Sequence, residues 1–358
     1  MRVLVVATVH HPLDARVWAR EIAALLAAGH TVTYAAPFVA FGVAPPPDVA
    51  AIDLPRSQGR RRVSALRAAR QVMRSEAPRH DVVLVHSPEL VLAGWGIDHP
   101  AMVWDVHEDT RAALGMKPWL PASLRPVAAR GVEVAEGGAE RRWRLMLAED
   151  AYAHRFRERH PVVPNTPVVP ERVPASQRGR VVYLGDLTVA RGVEDLVETA
   201  RLLAPDIAVD VIGTARGSAV DLLRNAQAAG WLRWHGFLPN DVALRTLEGA
   251  CAGLSLLRDE PNYRHSMPTK LGEYLAHGVP FVSTPLPLAV RLAEQSGAGV
   301  IVPFADPSAA ARAVRALDRE DERRTEMASA GHRWMQENAN WSIDGQRFVE
   351  QLEDWARG

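Results

Sequence analysis

Short unbroken apolar runs alternate along this chain with longer stretches in which apolar residues return every third or fourth position. "VLVVAT" near the start is followed by "ARVWAREIAALLAAGH", in which Val17, Ile22, Leu25 and Leu26 fall on one helical face. Gly29 then stops the helix and "TVTYAAP" opens at once as the next strand. "DVVLVHS" and "AMVWDVHE" are two further buried-strand candidates. Strand, helix and strand joined by tight glycine turns predict a parallel, doubly wound sheet. The rhythm breaks at "HPVVPNTPVVPERVPASQRGR", where Pro161, Pro164, Pro167, Pro170 and Pro174 exclude helix and interior strand. It then restarts through "RVVYLGDL", "GVEDLVETARLLA", "AVDVIGT", "AVDLLRNAQAAG", "LRWHGFL" and "DVALRTLEGACAG", and ends in "LSLLR", "PTKLGEYLAHG" and "PFVST". The pattern predicts two Rossmann-like α/β domains hinged at the proline stretch, residues 1–165 and 166–340. A last helix over 341–358 is expected to pack back toward the first domain. One large sheet with a proline loop is the competing arrangement.

Composition narrows the picture. At 358 residues the chain exceeds one ordinary domain. Its 42 basic residues balance 42 acidic ones, so no global field points to nucleic acid or membrane. Cys251 is the single cysteine, which excludes an internal disulfide framework and a cysteine zinc cluster. Within "LEGACAGLSLL" it reads as a buried thiol. The start "MRVLVVATVHHP" reads as a first strand, with no signal-peptide pattern, and no apolar run approaches the roughly 20 residues of a membrane span. A cytoplasmic location is expected.

Of the 42 bases only Lys117 and Lys270 are lysines. Lys270 stands in "SMPTKLGEYLAHG", where Pro268 suits the first turn of a helix and Ser266 a cap. The dipole of a helix start disfavours a cation unless an anion is present. Glu273 lies one turn on, on the same face. A carboxylate placed to accept two hydroxyl hydrogens reads a ribose diol. The pair therefore has two readings, a solvated (i, i+3) salt bridge or a nucleoside-diphosphate site. "VVYLGDLTVARGVEDLV" supports the second, because Arg191 precedes another helix start after a strand and Gly185. Two such cations can clamp a pyrophosphate.

At these motifs the chain resembles the retaining glycosyltransferases of family 4, also called group 1, with the two-domain GT-B fold. The resemblance runs through "LDARVWAREIAALLAAGHTV", "VWDVHED", "VVPNTP", "YLGDLTVARGVEDLV", "VDVIGTARG", "HGFLPNDVALRTL" and "SMPTKLGEYLAHGVPFVST". It implies that Arg191 and Lys270 bind the donor pyrophosphate and Glu273 the ribose. It further implies that His107 faces the donor sugar across the cleft, and that the turn at Phe237 and Leu238 holds the base. The implied activity is transfer of a sugar from a nucleoside-diphosphate donor, a UDP-sugar, to an acceptor hydroxyl with retention, with no metal and no cofactor. Two positions depart from the pattern. His265 stands where many members carry a second glutamate, and Gly185-Asp186 where many carry Gly-Arg. Arg191 replaces a common lysine and keeps its charge. These departures put the donor sugar in question. A nucleotide-sugar epimerase and a catalytically silent sugar-nucleotide-binding subunit are the alternative functions.

His10 and His11, after the first strand, are acceptor or donor-phosphate candidates, and Asp14 and Arg16 share that loop, where they can pair with each other. His107, Glu108 and Asp109 suggest a metal, but neighbours on a strand point to opposite faces. "GTARG" lacks the glycine spacing of a dinucleotide fingerprint. The stretch Arg56–Arg79 holds eight arginines and one acid. It reads as a solvated face, or as a basic amphipathic helix that docks on anionic lipid, with Val63, Leu66, Val72 and Met73 as its apolar side. Aromatics do not interleave these charges, which argues against nucleic acid.

Overall fold

A computed structural model describes residues 1–107, 125–261 and 263–358. The chain divides into two compact units, residues 1–165 with 343–358, and residues 166–342.

The first unit is a six-stranded parallel sheet of β1 (Arg2–Val6), β2 (Thr31–Ala36), β3 (Ala50–Asp53), β4 (Val82–Val85), β5 (Met102–Val106) and β6 (Arg144–Leu147). The strand order is β3-β2-β1-β4-β5-β6. Helices cover the sheet, so β4 and β5 are buried at every position, which is why they read as continuous apolar runs. Leu4, Val6, Val83, Val85, Trp104 and Leu145 pack with Ala69 and Met73 of the helix Arg62–Glu76 on one side.

The second unit repeats the plan with β7 (Arg180–Leu184), β8 (Ala208–Ile212), β9 (Arg233–Gly236), β10 (Ala252–Ser255), β11 (Phe281–Ser283) and β12 (Gly299–Ile301). Its order, β12-β11-β10-β7-β8-β9, is the same winding. In each unit the order reverses beside the first strand, between β1 and β4 and between β7 and β10. Such a switch point opens a crevice at the carboxyl ends of the strands.

The apolar pattern finds nine of these strands and misses β3, β6 and β12. β3 is a largely exposed edge strand, and β6 and β12 are four and three residues long. β10 lies slightly earlier than "LSLLR" suggests. The helix after β1 begins as a π-helix, Val17–Ile22, and continues as Ala23–Ala27. Its buried residues are Val17, Arg20, Glu21, Ile22 and Leu25, so two charged side chains share the face that periodicity assigns to apolar ones. Cys251 is fully buried, and burial, with Asp318 nearby, pushes its thiol up to about 12, which keeps it inert.

Candidate active site

In the second unit Lys270 occupies the first turn of the helix Thr269–Ala276, whose residues from Lys270 to Ala276 are all buried. The helix is braced by Tyr274. The ladder between β7 and β10 pairs only Val181 with Ala252 and Val182 with Gly253. Beyond it the Tyr274 hydroxyl accepts from Leu184 N (2.9 Å) and donates to Leu254 O (3.0 Å). One phenol thus replaces the strand pairing where the sheet splits, and the helix start is fixed over the split.

Lys270 is 6% exposed and its Nζ has no hydrogen-bond partner among the described residues. The ammonium lies 3.7 Å from the ring centroid of Tyr183, a cation–π contact that offsets part of the cost of burial. A Cβ on Gly185 would sit 3.5 Å from its Cε and 3.6 Å from Nζ, so the lysine tip lies against the turn that ends β7. Gly185 has φ +121°, which L side chains rarely adopt, and that turn stays bare backbone. Burial, and then the charge of Arg191, push the Lys270 pKa well below the usual lysine range, while Asp186 acts the other way. The Asp186 carboxylate is itself drawn to Arg216 at 3.4 Å.

Arg191 is half-buried on a turn whose amide donates to Thr188 O (3.1 Å). Gly192, at φ +77°, starts the helix Val193–Leu203, and a Cβ there would lie 1.7 Å from Leu256 O. Only glycine lets the Arg191 turn close onto the strand end of β10. The Arg191 guanidinium makes no ion pair or hydrogen bond among the described residues, since Glu194 is engaged by Arg258. Lys270 and Arg191 thus lie close enough to act on each other, with Asp186 the nearby carboxylate. Two neighbouring cations of this kind can bind a polyanion.

Glu273 is buried, 5% exposed, one turn behind Lys270. The surface salt-bridge reading of this pair fails, because both side chains are inside and Lys270 makes no ion pair among the described residues. Ser266 does not cap the helix. Pro268 is its N-cap and no side chain caps it, because the helix starts three residues beyond the serine. Ser266 is half-buried and His265 exposed on the loop that follows β10. Phe237, 47% exposed, follows β9, and Leu238 packs partly on the core.

The first unit gathers a different set at its own switch point. Asp105 of β5 is fully buried and is held by Arg16 through Nε (2.8 Å) and Nη2 (2.6 Å). Arg16 Nε also lies 2.9 Å from Glu21, and Glu21 meets His86 Nε2 at 2.6 Å. Burial opposes ionisation of Asp105, yet Arg16 and His107 hold its carboxyl well below the usual range. Burial, and then Asp105, raise the Glu21 pKa. Asp105 is thus an acceptor, so His107 Nδ1 donates to it at 2.8 Å. His107 Nε2 is 3.2 Å from His10 Nε2, and His10 Nε2 is 3.3 Å from His86 O. A carbonyl only accepts, so His10 Nε2 carries its proton and His107 Nε2 presents a lone pair.

Asp14 and Arg16 are not an ion pair, contrary to the sequence reading. Asp14 Oδ1 accepts from the backbone N–H groups of Arg16 (2.9 Å) and Val17 (3.1 Å), while the guanidinium turns inward to Asp105. His11 leaves the cluster and packs edge-on against Phe41, with ring centroids 4.8 Å apart. Glu108 and Asp109 lie outside the described residues. Glu21, His86 and Asp105 bring their ligand atoms within 4.8 Å of one another, but Arg16 already supplies the cation between the two carboxylates. Sequence reasoning missed Tyr183, Tyr274, Glu21, His86 and Asp105. A signal existed for Asp105, since an acid inside an apolar strand must find a buried cation.

Residues 178–319, which carry Arg191, Lys270 and Glu273, match the family model described as glycosyl transferases, group 1. No curated protein matches the chain by sequence. Among solved structures, sucrose-phosphate synthase from Thermosynechococcus elongatus superposes with a TM-score of 0.75 at 14% identity, over 99% of this chain and 98% of that one. Anabaena HepE, solved with UDP and glucose, gives 0.71 at 13% identity over 99% of both chains. WaaG, a glycosyltransferase involved in lipopolysaccharide biosynthesis, gives 0.69 at 14% identity, over 97% of this chain and 98% of that one. The fold is GT-B. Within that fold, segment 178–319 is similar to the group 1 glycosyltransferases.

Proposed function

We propose that this glycosyltransferase moves a sugar from a nucleoside-diphosphate donor, a UDP-sugar, to an acceptor hydroxyl with retention of configuration. The observation that carries this reading is the buried Lys270 ammonium, without a hydrogen bond among the described residues, near Arg191 and the bare turn at Gly185. Breaking the bond between the sugar and the diphosphate leaves the electron pair on the phosphate oxygen. Lys270 and Arg191 neutralise that charge as it grows, which lowers the barrier more than it tightens ground-state binding. Glu273 accepts from the ribose hydroxyls, and Phe237 and Leu238 flank the base. His107, oriented by Asp105, takes a donor-sugar hydroxyl hydrogen at Nε2 once the sugar displaces its His10 contact. No metal and no cofactor enters this scheme, and the departing phosphate takes the acceptor proton. HepE was solved with UDP and with UDP-glucose, and that precedent supports UDP as the nucleotide here.

The test is mass spectrometry of products after incubation with a panel of nucleotide sugars and hydroxyl-bearing acceptors. A glycosylated acceptor, with the anomer of the donor read by NMR, is expected from a UDP-sugar. Lys270→Ala is expected to slow it about a hundredfold, the loss of roughly 3 kcal/mol of charge stabilisation. Donor turnover to an isomer without acceptor, or an inverted product, would overturn the reading.

A further inference from the structure

We propose that the arginine face formed by the helix Arg62–Glu76 and the turn before it docks this chain on an anionic lipid surface. The inference is independent of the sugar-nucleotide site, which lies in the other unit.

The stretch 56–79 holds eight of the 42 basic residues and one acid, in a chain whose total charge is balanced. Ala65, Ala69 and Met73 are buried in the core, and Leu66 and Val72 pack partly against it. Apart from Val63, the apolar side of this helix is therefore spent within the protein. What faces outward is Arg60, Arg61, Arg62, Arg67, Arg74 and Arg79, all exposed. Arg79 pairs with Glu76 at 3.0 Å, but the other five make no ion pair among the described residues. Arg70 is spent on the carbonyls of Ala93 (2.5 Å) and Trp95 (2.8 Å).

This arrangement works against the helix that carries it. Arg60, Arg61 and Arg62 crowd its N-terminus, with no acid in the first turn, where the dipole disfavours cations. Arg67, Arg70 and Arg74 repeat at spacings of three and four, where like charges repel. A facing anionic surface relieves both.

The footprint decides which anion. Ala40, Arg56, Gln58, Arg60 and Arg61 line one shallow depression. Arg67, Arg70, Gln71, Arg74 and Ser75 line another. From Arg60 to Arg74 the row runs about 20 Å at helical rise, longer than any single phosphate and suited to several headgroups at once. Val39, beside Ala40, is 78% exposed, and Val63, beside Arg62, is 58% exposed. Two such tips suit the headgroup layer. Single-stranded nucleic acid wants exposed aromatics to stack on. Of the rings beside this face, Phe41 is covered by the Arg56 guanidinium at 4.1 Å and Trp95 by that of Arg142 at 4.5 Å.

The test is flotation of the full-length chain with vesicles of phosphatidylcholine, alone and mixed with phosphatidylglycerol, at low and high salt. Binding is expected to the mixed vesicles only and to fall away at high salt. Arg67→Glu with Arg74→Glu should weaken it at least tenfold, given about fivefold per basic residue near such a surface. Arg60→Glu with Arg61→Glu is a second, separate pair with the same expectation, and the matching glutamine variants serve if a reversal disturbs folding. Reversing Arg224 and Arg245 in the second unit should leave binding unchanged. The proposal is overturned by equal binding to neutral vesicles, or by no binding at low salt. It is also overturned by an equal effect of the control reversal, or by tighter binding to single-stranded DNA than to the mixed vesicles.

Discussion

Lys270 is held in a form its surroundings oppose. Burial, and then Arg191, push its pKa well below the ordinary lysine value that the unfolded chain keeps. Between those two values the unfolded chain binds more protons than the folded one, so stability rises with pH there. Lys270→Met removes the buried charge and keeps most of the volume. It should stabilise the ligand-free protein by about 1 kcal/mol at neutral pH, a few degrees of Tm. The gain should shrink as pH climbs toward the ordinary lysine value, and melting curves across pH check both points. A bound diphosphate raises the same pKa, so its binding should take up protons, and affinity should fall as pH rises through the lowered value. Calorimetry in two buffers of different ionisation enthalpy reads this uptake. Equal heats in both buffers, with no stabilisation in the variant, would remove Lys270 from the anion site. Glu273 has its own signature at this scale. A 2′-deoxyribose donor should be penalised in the wild type and little in Glu273→Ala, and an undiminished penalty in the variant would place the diol reader elsewhere.

The helix Thr269–Ala276 shows how an element turns a sequence feature into a site. Lys270 and Glu273 could be named from a lone lysine at a helix start one turn from a glutamate. That pattern equally reads as a surface pair, and only the fold shows that both are buried. Tyr274 could not be named this way, because its role depends on where β7 and β10 part, and strand pairing is not written in local spacing. Its hydroxyl satisfies Leu184 N and Leu254 O together. Tyr274→Phe keeps the ring that packs on Gly253 but leaves two strand groups without a partner. The expected cost is about 1–3 kcal/mol of stability. Because the helix start then shifts over the split, turnover should fall more than donor affinity does. A variant that loses stability while its turnover stays at the wild-type value would reduce Tyr274 to a packing residue. The same limit explains the other unit. Apolar periodicity found β1, β4 and β5, whose faces are covered on both sides. It was blind to Arg16, Glu21, His86 and Asp105, which meet inside the core through contacts up to 89 residues apart in sequence. His107 and His10 were named from their positions after strands. Their mutual tautomers follow from Asp105 and the His86 carbonyl, which only the fold brings near.

At the scale of the whole molecule the chain crosses between its units twice, in the proline stretch at residues 165–166 and within the last helix, Trp341–Arg357. The first unit is therefore discontinuous and includes a segment that follows the second unit in sequence. Phe348 and Leu352 of that helix are fully buried, and Glu353 meets His30 at 3.0 Å within the first unit. The second unit is one continuous stretch that holds both cations, Arg191 and Lys270. Each unit has its own sheet and its own core, so heat should unfold them as separable steps. Phe348→Ala empties a buried ring site and should cost the first unit about 3–5 kcal/mol. UDP at a hundredfold excess over its Kd should add about 2.7 kcal/mol to whichever unit binds it. Differential scanning calorimetry is then expected to show two transitions, with Phe348→Ala lowering one and UDP raising the other. Hydrogen exchange should assign the UDP-raised step to residues 166–342, with β7 and β10 protected. UDP raising the transition that Phe348→Ala lowers would show that the nucleotide is held by the first unit, and the assignment of Arg191 and Lys270 to the diphosphate would fall with it.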